Sequence, residues 1–377
     1  MMNHRAIEYN RLLNESRDVA SFIRKGKELE CRPISNKKLF NICQLLLCRN
    51  LKEIEKNSAS LINNEPVVIC DLRTKNQIIK LKTKINGSIE CNSLDRVKRI
   101  FPEFDINQNP GIVGMNRKHV IIYDFEGKLT NISDLEISQR EVLEYLKKCI
   151  QSIKSIYLLK DGYISFSLEF PYICCSVDAE CISSIKSIDN IPQNLKSKII
   201  ASIEYPLVIS WGEIYKIYLG NVLQGCHPQI LKSLGIKTIM DFTPNRIKSK
   251  SNDGVRIIHV KNSESNILVE EDYLIYSNLP LEEAIKSLKE LEENNPDPKD
   301  IFPIMVVSTR VTNETVSIVS IIVSYLRKLQ ITATLIFTLN QIGLDNNIIS
   351  PTENEEIFNL LHPSNTQIAQ MISFNFP

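Results

Sequence analysis

The stretch Pro303–Leu329, PIMVVSTRVTNETVSIVSIIVSYLRKL, decides how the second half of the chain is read. It opens with an apolar run, Ile304–Val307, breaks into a polar loop over Ser308–Thr315, and resumes as a long apolar segment ending near Tyr325 and Leu326. Strand, loop and helix in that order aim backbone N–H groups and a helix N-terminus at an anion. The loop offers Ser308, Thr309, Arg310, Glu314 and Thr315. A serine or threonine hydroxyl does not ionise usefully beside a helix end, Glu314 repels an anion, and no cysteine follows Cys226. The segment therefore carries the geometry of an anion site without an obvious nucleophile.

At 377 residues the chain is long enough for two domains, each with its own core. Its 45 basic and 44 acidic residues nearly cancel, so no general attraction to nucleic acid or membrane is expected, and any charged partner must be met by a local cluster. The ten cysteines are irregularly spaced, and Cys70, Cys174 and Cys175 lie in apolar runs, as reduced core residues of a cytosolic or nuclear protein do. No CxxC pair occurs and the five histidines are scattered, so neither a metal site nor a cofactor is expected. The first residues lack the apolar core of a secretory signal, and the run near Ile318–Leu326 is too short to span a bilayer. The sequons at Asn131 and Asn313 are accordingly read as chance.

Residues 1–34 are taken as an N-terminal extension, with enough apolar positions for one amphipathic helix in 1–30. Ser35 is a candidate N-cap for a helix reaching about Leu47. Pro66–Leu72 reads as a strand buried on both faces, Ile85–Ser88 as a turn into a short strand, and His119–Tyr123 and Ser155–Leu159 as further strands around a helix within Ser138–Ile153. Strands alternating with helices predict a parallel α/β domain over 35–177. A polar stretch, 178–204, predicts a linker to a second α/β domain over 205–377.

The residues of the first domain resemble the rhodanese family. Ile69-Cys70-Asp71-Leu72-Arg73 looks like its Asp-x-Arg strand, INGS at 85–88 resembles its glycine turn, and Leu158–Tyr163 with Phe166 is similar to its late glycine signature. The run Phe170–Cys175 resembles the end of the rhodanese-like domain that precedes the catalytic domain in MAP-kinase phosphatases. The rhodanese cysteine position, after the His119–Tyr123 strand, holds Asp124, which cannot carry a persulfide. Ile89–Arg99 is similar to the kinase-docking segment of that subfamily, implying Arg96, Lys98 and Arg99 as its charges and Leu94 and Ile100 as apolar neighbours, with Asp95 and Val97 interrupting the cluster. A MAP kinase is the partner this implies, because basic plus aliphatic complements an acidic groove beside an apolar pocket. On charge alone, the same three residues read as a solvated helix face.

The second domain resembles dual-specificity phosphatases. Ile214–Asn221 and Pro228–Ile239 look like their entry, Lys237–Phe242 like the strand that follows, and Gly254–Val260 like the strand before the general-acid loop. A general acid needs a carboxyl group; the matching positions hold Lys261, Asn262 and Ser263, with Glu264 out of register. In that family the loop after the next strand runs cysteine, five residues, arginine. The cysteine attacks as thiolate and the arginine forks onto phosphate. Matching from the strand puts Ser308 and Glu314 at those positions; matching back from Tyr325 puts Val311 and Ser317 there. Ile348–Pro351 resembles a later landmark, and Glu282–Glu293 reads as a solvated amphipathic helix.

These resemblances imply a catalytically dead member of the MAP-kinase phosphatase family: a pseudophosphatase that binds a protein partner. Two other functions stay open. One is a phosphoprotein reader using the degenerate loop with Arg310; the other is a sulfurtransferase using Cys91, Cys174 or Cys175. His259 is read as a satisfied core residue, Trp211 as a plug at the domain edge or seam, and His227 as a helix start.

Overall fold

A computed structural model of the chain describes residues 28–54, 67–102, 117–130, 134–176, 205–244, 246–247, 254–260, 267–270, 273–276, 279–309, 311–344 and 355–374. The expected helix in 1–30, apart from its last three residues, and the linker over 178–204 lie outside these, as do Asn131, Asn262, Arg310 and Ile348–Pro351. The chain divides into two compact units, Met1–Leu39 with Asn50–Lys196 and Phe40–Arg49 with Ser197–Pro377. Both are mixed α/β structures built on largely parallel sheets.

In the first unit β1 (Cys31–Ile34) is followed by α1 (Asn36–Ile54), β2 (Val67–Asp71), α2 (Lys75–Leu81), β3 (Thr83–Ile85), β4 (Ile89–Glu90) and α3 (Leu94–Ile100). Next come β5 (Lys118–Tyr123), α4 (Ile137–Lys148), β6 (Ile153–Leu159), α5 (Gly162–Glu169) and β7 (Cys174–Ser176). Five strands form an all-parallel sheet in the order β1-β6-β5-β2-β4. Every residue of β2 is buried, as its unbroken apolar run requires for a strand covered on both faces. Val68, Cys70, Val120, Ile122, Ile156 and Leu158 meet Val142, Leu143 and Leu146 of α4 and Val97 of α3 in one core.

Three expectations for this unit are corrected. Cys31–Ile34, counted with the extension, is an edge strand paired to β6; four residues containing a proline carry no readable period. The helix after Ser35 runs to Ile54, and its residues 40–49 group with the second unit, so the expected boundary at 35 does not follow the compact units. The helix expected within Ser138–Ile153 ends at Lys148, because Cys149–Ser152 turn sharply, with the Ile153 N–H bonded to the Cys149 carbonyl at 2.8 Å, so β6 starts early.

The second unit contains β8 (Leu207–Trp211), β9 (Tyr215–Asn221), α6 (Val222–Gly225), α7 (Pro228–Leu234), β10 (Thr238–Asp241) and β11 (Arg256–His259). A two-stranded ribbon follows, β12 (Ile267–Glu270) with β13 (Tyr273–Tyr276), which the sequence reading did not anticipate. Then come α8 (Leu281–Asn294), β14 (Ile304–Ser308), α9 (Asn313–Arg327), α10 (Ile331–Gln341), α11 (Glu355–Leu361) and α12 (Asn365–Ser373). The main sheet runs β11-β10-β14-β9-β8, parallel except for the β8–β9 hairpin.

Helix α9 is buried without a break from Thr315 to Ser324. Its interior serines return their hydroxyls to the helix: Ser317 to the Asn313 carbonyl and Ser320 to the Val316 carbonyl, each at 2.8 Å. The open edge of β8 is closed by a side chain. Asn41, fully buried, donates to the Val208 and Gln341 carbonyls at 2.7 and 2.9 Å and accepts the Val208 N–H at 2.8 Å. Its amide thus pairs with Val208 as a neighbouring strand would. No single helix among the described residues is long and apolar enough to cross a membrane.

Candidate functional site

The loop after β5 holds the first of two candidate anion seats. Asp124, 3% exposed, folds its carboxylate back into its own loop, accepting the Gly127 N–H at 2.7 Å and the Lys128 N–H at 2.6 Å. Burial pushes this carboxyl above its ordinary value, against the pull of those same N–H groups. The carboxylate therefore fills the place where the loop would cradle an incoming anion. From the other side, α5 takes up the loop's carbonyl groups: Tyr163 N–H donates to Asp124 O at 2.8 Å and Ile164 N–H to Phe125 O at 3.1 Å.

Of the cysteines weighed for sulfur transfer, Cys91 is fully buried and Cys174 partly so; the side chain of Cys175 lies outside the described residues. Burial opposes the thiolate that such chemistry needs.

The proposed docking residues lie on α3. Its seven residues show one buried position, Val97, which explains why an aliphatic residue interrupts the basic cluster. Arg96, Lys98 and Arg99 are exposed, with Arg96 paired to Glu90 at 2.6 Å. Leu94 and Ile100 are half-buried and pack against the core.

In the second unit Ser308 ends β14 and α9 begins at Asn313, so the loop is short. Glu314 stands in the first turn of α9, where an anion would approach, whereas Ser317 is fully buried inside the helix. Thr309 is exposed. The Thr315 hydroxyl accepts the Thr312 N–H at 3.2 Å and shares a hydrogen with Ser308 Oγ at 2.8 Å. Thr312 and Thr315 form a capping box, so the chain's own hydroxyl groups occupy N–H groups that a bound anion would use.

A further arrangement was missed by sequence reasoning. His259, expected to be a satisfied core residue, is 32% exposed in its side chain and its Nδ1 lies 2.8 Å from the buried carboxylate of Asp241. Asp241 also accepts from Thr243 N–H at 2.9 Å, Thr243 Oγ1 at 2.6 Å and Ile247 N–H at 2.9 Å. The two residues are opposite each other in the β10–β11 register. Trp211 lies on edge strand β8 and stacks on Tyr215, ring centroids 5.3 Å apart. His227 precedes α7 as its N-cap. Among the described residues no group of His, Cys, Asp and Glu could hold a metal ion.

No protein-family model matches the sequence. No curated protein matches it. Solved structures with some likeness are dual-specificity phosphatase domains. Human DUSP28 is 10% identical at TM-score 0.27, over 41% of this chain and 84% of that one. A single-substitution variant of it is 11% identical at TM-score 0.28, over 41% and 86%. A leucine rich repeat and phosphatase domain containing protein from Entamoeba histolytica is 16% identical at TM-score 0.27, over 45% of this chain and 88% of that one. Likeness at this level carries no activity across to this chain.

Proposed function

We propose that the chain is a catalytically inactive pseudophosphatase that works by binding a protein partner, a MAP kinase or another component of phosphate signalling, through its first unit. The observation that supports this most is the occupation of both candidate anion seats by the chain's own oxygen atoms, Asp124 in one loop and Thr315 with Ser308 in the other. Alongside it stands the sequence itself, which resembles the MAP-kinase phosphatase pattern while lacking its nucleophile, phosphate-binding arginine and general acid at the matching positions. Groups that act as a unit are not replaced piecemeal, so their joint loss leaves little residual chemistry. The same occupied seats argue against a phosphate reader, because a phosphoryl oxygen would have to displace Thr315 and sit beside Glu314.

For docking, the exposed Arg96, Lys98 and Arg99 supply the basic face, with Arg96 shared with Glu90. Leu94 and Ile100 are largely spent on the core, so charge carries most of the contact. Calorimetric titration of a MAP kinase is expected to give micromolar binding, weakened about tenfold or more, ~1.4 kcal/mol, when all three basic residues become alanine. The binding should also weaken with added salt. Equal affinity in wild type and triple variant would remove α3 as the docking element.

A further inference from the structure

Helix α10 reverses the usual amphipathic pattern. Its buried side presents Thr334, Leu335, Thr338 and Leu339, and the Thr334 hydroxyl is returned to the Gln330 carbonyl at 2.7 Å. Its outward side presents Thr332, Ala333, Ile336 and Asn340, whose spacing puts them on one stripe. Ile336, at the centre, is 68% exposed. A surface helix of a globular domain ordinarily carries charge on this side. α8 does so, with Glu282, Lys286, Glu290 and Glu293 all exposed.

α12 packs against α10 and repeats the pattern. Met371 is buried, while Ala369 is exposed and Ile372 is 57% exposed. Neither helix holds a charged residue, whereas every other helix of seven residues or more among the described residues holds at least one. The flanking sequence extends this: Leu329–Leu344 and Ile357–Pro377 contain no Asp, Glu, Lys or Arg, in a chain of which 24% is charged. Burial would explain uncharged helices, but these two face outward.

Charge also selects what covers them. A partner with an ordinary charged surface would strip water from its charges against groups that cannot pair with them. The fitting counterpart is another uncharged helical face, and the chain itself supplies one. Depletion of charge around an apolar centre is the compositional mark of an interface core. Ala333 and Ala369 beside the two isoleucines let a second helix approach closely. At the rim, Arg327 lies over the half-buried Phe337 ring at 4.5 Å. Where a two-fold axis crosses α10 its two copies run antiparallel, so the Arg327 ends lie apart and like charges do not meet.

We propose that the outward face of α10 and α12 joins two copies of this chain in an isologous dimer, with Ile336 and Ile372 at its centre. The proposal does not rest on the docking reading, which uses α3 of the first unit, whereas this face belongs to the second.

Sedimentation equilibrium of the full chain over a concentration series tests it. The wild type is expected to approach twice the 43.1 kDa chain mass at micromolar concentration. Ile336→Arg sets a cation into the face of both copies at once, so it is expected to raise the dissociation constant at least about a hundredfold. Leu168→Arg, at a leucine of the first unit that is 78% exposed, should leave the constant unchanged. Far-UV circular dichroism checks that each variant is folded; if Ile336→Arg is not, Ile372→Arg decides in its place. A wild type that keeps the single-chain mass up to about 100 µM overturns the proposal and leaves the face to a partner of another kind or to a segment of the chain itself. A dimer that the folded arginine variant leaves intact overturns it equally. Neither result alters the expected titration with a MAP kinase, so the two readings fail separately.

Discussion

Replacing Arg73 with methionine is expected to destabilise the first unit by about 3–5 kcal/mol, the usual cost of breaking a buried ion pair from one side. Arg73 Nε and one terminal nitrogen donate to the two oxygens of Asp71 at 2.9 and 2.6 Å, and that nitrogen also reaches the Thr83 carbonyl at 2.8 Å. Neither side chain has any solvent exposure. The guanidinium lies over the Tyr163 ring at 3.8 Å and near Tyr123 at 5.5 Å. Burial works against its charge, but the Asp71 carboxylate outweighs burial and holds its pKa above the ordinary arginine value. Methionine fills much of the stem's volume and leaves Asp71 charged, buried and with two fewer donors. Changing Asp71 to leucine as well should return part of the loss, since no isolated charge then remains. Urea unfolding followed by circular dichroism measures both; a single-variant loss below about 1 kcal/mol would mean that water reaches Asp71.

Gly162→Ala is expected to cost more, above about 4 kcal/mol, enough to prevent the first unit from folding. Gly162 has φ +68°, a region that an L side chain enters only with strain, and a Cβ there would meet Gly127 N and lie 2.6 Å from the Glu126 carbonyl carbon. Those atoms belong to backbone and cannot turn aside. Gly127, at φ +82°, returns the constraint, because a Cβ on it would meet the Lys160 carbonyl oxygen. The two glycines let the Asp124 loop lie flat against the start of α5, where Tyr163 and Ile164 bond it. Gly87→Ala is the control: φ is +77°, yet nothing lies within 4 Å, so it should cost only the backbone term, about 1–2 kcal/mol. Equal losses at 87 and 162 would show that conformation, not contact, sets the penalty.

Strands β2, β5 and β14 could be read directly because a strand covered on both faces is written as an unbroken apolar run. The amphipathic α8 was legible for a similar reason, with Leu281, Ala284, Ile285, Leu288 and Leu291 buried on one side. Pairing leaves no such trace. β1 is four residues long and owes its place to β6, more than a hundred positions later. The Asp241–His259 contact depends on strands β10 and β11 being in register, which no spacing along the sequence announces. A signal did exist at Asp241: an aspartate ending an apolar strand, followed by Thr243 in place to close a turn. Asn41 offered another, as a polar residue set among the apolar positions of LFNICQLLL, which marks a buried group with a fixed partner. Val97 shows the reverse error, a core position read as a gap in a charged surface.

The proposed inactivity is tested most directly by incubating the full chain with p-nitrophenyl phosphate, with and without orthovanadate, beside a Ser308→Ala variant. An inert pseudophosphatase releases p-nitrophenol no faster than buffer, and neither vanadate nor the substitution changes that. A rate above buffer that vanadate suppresses and Ser308→Ala abolishes would contradict it and make the β14–α9 loop a working active site.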